Sequence, residues 1–133
     1  MWGSRKGNKV IIIDDEPDFI EMVKIRLEAN GYKVITASGG HEGLAMIRSE
    51  KPRVIILDVM MPGMDGFEVA KEIKSDPDIC NIPVIMLTAL GVSFDIDHEE
   101  NLKKAREAGV FSFLTKPFIP ADLIDAVELA FKS

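Results

Sequence analysis

Residues 54–66 read Val54-Ile55-Ile56-Leu57-Asp58-Val59-Met60-Met61-Pro62-Gly63-Met64-Asp65-Gly66. Four large aliphatic residues run into a carboxylate, and a Pro-Gly turn follows within five positions. An apolar run of this length, rich in β-branched residues and bounded by turn residues, reads as a strand buried on both faces. Asp58 then stands where the strand leaves the core. Open α/β sheets place their chemistry at the C-terminal edge of parallel strands, which makes Asp58 a candidate functional group. The competing reading is a turn aspartate that bonds its own backbone. How the other strands end decides between the two.

Upstream, Val10-Ile11-Ile12-Ile13 is a second buried-strand run, and it stops at Asp14-Asp15. Pro17 suits the first turn of a helix, Phe19, Ile20, Val23 and Leu27 recur at helical spacing, and Asn30-Gly31 supplies a left-handed stop. Tyr32 to Ala37 reads as a strand and Ser38-Gly39-Gly40 as a turn. A short helix from about His41 to Ser49 turns Leu44 and Ile47 inward, and Pro52 ends it. Downstream, Asp65-Gly66-Phe67-Glu68 has the spacing of a capping box. The helix it opens is expected to bury Phe67, Ala70 and Ile73 and to end before Asp76-Pro77. Ile82 to Leu87 is the fourth strand, ending at Thr88-Ala89. A further helix ends at Gly109, and Val110 to Thr115 is the fifth strand, ending at Lys116-Pro117. The last helix runs from about Pro120 to Phe131, with Leu123, Ile124, Val127, Ala130 and Phe131 on one side. Strand and helix alternate five times, the pattern of an α/β fold with a five-stranded parallel sheet and helices on both faces. Crossovers in such units are right-handed, so all strand C-termini share one edge. That edge carries Asp14, Asp15, Asp58, Thr88 and Lys116.

Composition narrows the class. The chain has 133 residues, enough for one domain with a proper core and no staples. Residues 1–8 are short, polar and mildly basic, without an apolar signal-peptide core, and read as a flexible tail before a domain at 9–133. No apolar run reaches the length of a membrane span. The single cysteine, Cys80, excludes an internal disulfide and fits a cytoplasmic setting. A net charge of −6 argues against direct nucleic-acid binding, which needs a basic footprint.

Three carboxylates at one edge repel one another, by on the order of 4 kcal/mol per pair about 4 Å apart at an effective dielectric near 20. Such a cluster protonates in part or binds a hard cation through oxygen. Mg2+ suits it, because that ion takes one or two carboxylates, keeps waters, and collects phosphate oxygens. The Thr88 hydroxyl and the Lys116 ammonium supply a donor and a positive charge for the oxygens of a phosphoryl group. Asp58 is then the candidate nucleophile, since a carboxylate can accept phosphoryl as an aspartyl phosphate.

The Asp14-Asp15 pair, Asp58 followed by Pro62-Gly63-Met64-Asp65-Gly66, Thr88-Ala89, and Lys116-Pro117-Phe118 together resemble the receiver domain of two-component response regulators. The likeness spans residues 9–133, and these motifs, in order at the ends of the first, third, fourth and fifth strands, make it specific. The resemblance implies a flavodoxin-like doubly wound sheet of strand order 2-1-3-4-5. It implies that Asp58 accepts phosphoryl from a phosphohistidine on a sensor histidine kinase or histidine phosphotransfer protein. Asp15 would bind Mg2+ directly, Asp14 mainly through water, and Asp58 and the Met60 carbonyl would complete the protein's share. Lys116 would hold the phosphoryl group, its bond to Pro117 would be cis, and Ala89 would leave access. Thr88 would move toward the phosphoryl oxygen, with Phe113 as the aromatic switch. Such a domain is a switch rather than a turnover enzyme. Its output is expected through a downstream protein effector, with a phosphorylation-dependent homodimer as a further state. No output segment follows the last helix in this sequence; a chain cut from a longer protein would read the same way.

Two other carboxylate readings fail. A haloacid-dehalogenase-type phosphatase needs a second Asp two residues after the nucleophile, where Met60 stands. A flavodoxin-like cofactor binder would need a hydroxyl- and glycine-rich loop after the first strand, where Asp14-Asp15-Glu16 would repel a phosphate. A receiver-fold module that works without phosphorylation is the remaining rival, and the intact set of five residues speaks against it. The sequence departs from the family between Thr88 and Lys116, whose separation is about six residues longer than usual. The extra length falls in residues 91–97 and is expected to alter partner choice or dimer geometry rather than the chemistry. Asp97-His98-Glu99-Glu100 reads as an acidic helix start there. Met60 and Leu90, each two residues after a site residue, are apolar where the family's hydrolytic water passes, so slow loss of the phosphoryl group is expected.

Overall fold

The computed structural model describes residues 7–89, 103–104, 106–116 and 118–133, with Ala89 and Lys116 described by their backbone. Its elements follow in the order β1 (Lys9–Ile13), α1 (Pro17–Ala29), β2 (Lys33–Ala37), α2 (Gly40–Glu50), β3 (Val54–Asp58), α3 (Gly66–Ser75), β4 (Val84–Ala89), β5 (Ser112–Lys116) and α4 (Pro120–Lys132). All strand pairs are parallel, and the sheet order is β2-β1-β3-β4-β5. This is the doubly wound order that the resemblance implies.

Strand side chains alternate between faces with a period of two, and that alternation divides the core. Ile11, Ile13, Ile55, Leu57, Val84 and Met86 pack with α2 and α3 through Leu44, Ile47, Val69, Ala70 and Ile73. Val10, Ile12, Val54, Ile56, Ile85 and Leu87 pack with α1 and α4 through Val23, Leu27, Leu123, Ala126, Val127 and Ala130. The side chains of Val10 to Ile13 and Val54 to Leu57 are wholly buried. Burying each one contributes roughly 1.5–3 kcal/mol before chain entropy is counted. The two central strands are therefore the most firmly placed parts of the molecule, and both end at the acidic edge.

The helix boundaries follow local chemistry. Pro17 opens α1, and Gly31 takes the left-handed conformation just past its end, with φ of 91°. The α2 helix stops at Lys51, itself left-handed at φ 45°, immediately before Pro52. The capping box at α3 is formed in both directions: Glu68 N–H donates to Asp65 Oδ1 at 2.9 Å and Asp65 N–H to Glu68 Oε1 at 3.0 Å. Gly109, the expected end of a further helix, has φ of 72° and follows the helical residues 103–104 and 106–107.

Three local differences have physical causes. Phe67 is half-buried, and Val69 takes the fully buried place expected for it. The inward stripe of α3 runs through 66, 69, 70 and 73, and Phe67 lies on its flank. The β4 strand starts at Val84 rather than Ile82, because Pro83 has no N–H to give the ladder, although its carbonyl accepts from Ile55. Asn8 donates its side chain to the Gly31 carbonyl at 2.8 Å and accepts from the Lys33 N–H at 3.1 Å. The expectations for residues 1–6, for Leu90, for the extension at 91–97, for the helix start at 97–100 and for a cis bond to Pro117 lie outside the described residues. Among the described residues, no helix is long and apolar enough to cross a membrane.

Candidate functional site

Strand register sets the heights of the edge residues. Ile13 stands opposite Leu57, so Asp14 follows Ile13 as Asp58 follows Leu57. Asp58 stands opposite Leu87, Thr88 opposite Thr115, and Lys116 opposite Ala89. The backbone thus brings the ends of β1, β3, β4 and β5 to one rim, with Thr88 one residue and Lys116 two residues beyond the height of Asp58.

One carboxylate oxygen from each of Asp14, Asp15 and Asp58 lies within 4.8 Å of the other two. Asp14 is 0%, Asp58 3% and Thr88 5% exposed, and these are the buried polar or charged side chains among the described residues. All of them sit at the same edge. Asp15 is exposed and gives the cluster an open side. Burying a carboxylate is unfavourable unless hydrogen bonds or a cation compensate it, so two at one spot make this edge the candidate functional site.

The backbone holds both buried carboxylates. Glu16 N–H donates to Asp14 Oδ1 at 2.9 Å, and Met60 N–H donates to Asp58 Oδ1 at 3.3 Å. The turn reading of Asp58 is therefore correct as far as it goes: the side chain does bond its own backbone two residues on. The same side chain also belongs to the cluster of three. Main-chain bonds fix the two strand ends, with Asp14 N–H on the Ala37 carbonyl at 3.1 Å and Val59 N–H on the Leu87 carbonyl at 2.8 Å.

Gly66 is a structural member of the site whose role the sequence did not disclose. Its N–H donates to the Val59 carbonyl at 2.9 Å, and a Cβ at this position would lie 2.5 Å from the Asp58 carbonyl oxygen and 2.7 Å from Val59 Cα. Only a glycine lets the start of α3 press directly on the backbone that carries Asp58. The signal was a glycine at the first helical position, where it weakens the helix unless close approach requires it.

A set of three carboxylates and no softer ligand fits a hard divalent cation such as Mg2+, held by oxygen with room for water on the Asp15 side. Met60 lies at the rim with its side chain 49% exposed. Phe113 stands opposite Met86 and packs, half-buried, with the α2 and α3 side of the core. Strand alternation directs Thr88 to the same face as Met86, so Thr88 and Phe113 share it. His41 is exposed, and Cys80 is half-buried with Sγ 3.8 Å from the Pro77 carbonyl. Neither belongs to the cluster.

Comparison with known proteins gives a consistent result. The sequence profile of the response regulator receiver domain matches residues 10–128. The chain is 43% identical over 115 residues to the probable transcriptional regulator ycf27 of Guillardia theta, covering 86% of this chain and 42% of that one. It is 38% identical over 118 residues to the phosphate regulon transcriptional regulatory protein PhoB of Pseudomonas aeruginosa, covering 89% and 49%. The chain thus spans about half the length of these curated relatives. Among solved structures, the Vibrio cholerae chemotaxis protein CheY4 superposes with a TM-score of 0.81 at 32% identity, covering 93% of this chain and 98% of that one. The receiver domain of the Francisella response regulator 1452 gives a TM-score of 0.82 at 32% identity, covering 95% and 98%.

Proposed function

This chain belongs to the response regulator receiver domain family, and from that premise we propose that it is a phosphorylation-activated switch of a two-component phosphorelay, with Asp58 as phosphoacceptor. The observation that carries the reading is the burial of Asp14, Asp58 and Thr88, with Asp15 beside them, at one edge of an otherwise apolar sheet.

In this reading an Asp58 carboxylate oxygen attacks the phosphorus of a phosphohistidine on a sensor histidine kinase or phosphotransfer protein. The new O–P bond forms as the P–N bond breaks, and its electron pair leaves with the imidazole nitrogen. Asp14, Asp15, Asp58 and the Met60 carbonyl would hold Mg2+, which when bound offsets the charge between phosphoryl oxygens and carboxylates. Lys116 gives the transferred oxygens a positive charge, and Thr88 gives them a hydroxyl donor. Thr88 and Phe113 share one face of neighbouring strands, so a shift of Thr88 toward the phosphoryl group opens space that the Phe113 ring can follow. The surface over β4 and β5 then changes for a downstream protein effector or a second copy of the chain. Ycf27 and PhoB are named as transcriptional regulators; any such output here would belong to sequence beyond the matched domain. A net charge of −6 sets the domain itself apart from a nucleic-acid binder, and the single cysteine suits a cytoplasmic signalling role.

Intact-mass spectrometry after incubation with Mg2+ and acetyl phosphate tests the reading. One phosphoryl adduct is expected on the wild type and none on Asp58→Asn. No adduct on a wild type incubated to donor exhaustion favours a receiver-fold module that works without phosphorylation. The adduct is expected to decay slowly, because the apolar Met60 side chain cannot orient water; Met60→Asn should hasten its loss by about tenfold. Equal decay of both proteins would refute that role for Met60.

A further inference from the structure

β1 and β3, which carry the acidic residues, are each paired on both sides, whereas β5, which carries Lys116, is an edge strand paired with β4 alone. Of the strands that carry site residues, β5 is thus the one that the sheet constrains least. Phe118, two residues past Lys116, compensates for this. Its ring meets Phe19 edge-on, with centroids 6.1 Å apart and planes at 85°. Phe19 lies in the first turn of α1, four residues after Asp15, and both rings pack on the α1 and α4 side of the core. This aromatic contact joins Phe118 to the helix that begins directly behind Asp14 and Asp15.

We propose that Phe19 and Phe118 are positioning residues for phosphoryl transfer, setting the span between the Lys116 end of β5 and the carboxylate end of β1. The proposal rests on the phosphoacceptor reading. An edge-to-face pair has a preferred geometry that leucine cannot reproduce, although leucine fills much of the same apolar volume. Loss of the ring contact should leave folding and the cation site intact and loosen the span.

The test uses the full chain as wild type, Phe19→Leu, Phe118→Leu, the double variant and Phe118→Tyr. The rate of adduct formation at saturating Mg2+ and acetyl phosphate is read by intact mass, Mg2+ affinity by calorimetry, and Tm by thermal melting. Each leucine variant should slow phosphorylation about fivefold, the size of one such contact expressed as a rate. The double variant should be no slower than either single, because the same contact is lost once. Phe118→Tyr should restore the rate, with Mg2+ affinity unchanged throughout. Wild-type rates in both leucine variants overturn the proposal. So does a multiplicative double loss that follows Tm, and so does a Phe118→Tyr that folds but stays slow. A wild type that takes up no phosphoryl group overturns the phosphoacceptor reading itself, and this proposal with it.

Discussion

At the scale of single residues, what the site needs is set by how closely backbones approach. Asp58 was legible because a carboxylate closing an apolar strand is conspicuous, and Asp14 and Asp15 because they close a second one. Gly66 was not, because its importance lies in an atom it lacks. With a Cβ built 2.5 Å from the Asp58 carbonyl oxygen, the start of α3 or the Asp58 loop has to move. Alanine gains about 1 kcal/mol in helix propensity there, but overpacking against backbone costs about 1–3 kcal/mol. We expect Gly66→Ala to lower the urea midpoint and to slow phosphorylation of Asp58, since the displaced atoms belong to its own peptide. A variant as stable and as fast as wild type would show that the loop has slack. The family resemblance alone suggested the switch movement of Thr88 and Phe113 and the Met60 carbonyl as a ligand, which no spacing rule distinguishes from ordinary strand and loop residues.

At the scale of elements, strands were read more closely than helix faces. A fully buried parallel strand announces itself as an unbroken apolar run, whereas the inward stripe of a helix shifts when a glycine replaces a side chain, as at Gly66 with Phe67 and Val69. The join between α2 and α3 was invisible in sequence. Arg48 of α2 donates Nε to Asp76 Oδ2 at 3.2 Å, and Asp78 N–H donates to Asp76 Oδ1 at 2.9 Å, partners 28 and 2 residues away. The Asp78 N–H, more than the Arg48 guanidinium, holds the Asp76 carboxyl below its ordinary value of 3.8. A depressed carboxyl stabilises the fold above its unfolded pKa and loses that contribution as pH falls through the folded one. The stability difference between wild type and Asp76→Asn should accordingly be full at neutral pH and shrink below pH 3.8. Urea midpoints measured at both ends of this range check it. A difference constant with pH would mean that the ionised form of Asp76 is not what stabilises the end of α3.

At the scale of the whole molecule, the sheet gathers the three carboxylates of Asp14, Asp15 and Asp58 at one rim. Asp15 lies within 4.8 Å of two buried carboxylates, a spacing at which each like-charge pair costs on the order of 3 kcal/mol at an effective dielectric near 20. Because Asp15 is exposed, solvent screens much of that. Asp15→Asn should therefore raise Tm without Mg2+ and abolish the further rise that Mg2+ gives the wild type, as expected for a ligand that binds the folded state. Melting curves across a Mg2+ titration read both effects, and an undiminished Mg2+ response in the variant would place the cation elsewhere. The fold class and the five-residue rim were both legible because four of the five strands, β1, β3, β4 and β5, run into a polar or charged residue out of keeping with their apolar runs. The aromatic tie between Phe19 and Phe118 was not, since it joins residues 99 positions apart, one read as a helix-face residue and the other as part of the Lys116 motif. In the proposed switch, this rim accepts a phosphoryl group on Asp58. Borohydride reduction of the acetyl-phosphate-treated protein, followed by peptide mass spectrometry, tests it most directly, because an aspartyl phosphate is reduced to homoserine. Homoserine at Asp58 alone is the predicted result. Homoserine at Asp14 or Asp15, or none at any aspartate, would contradict it.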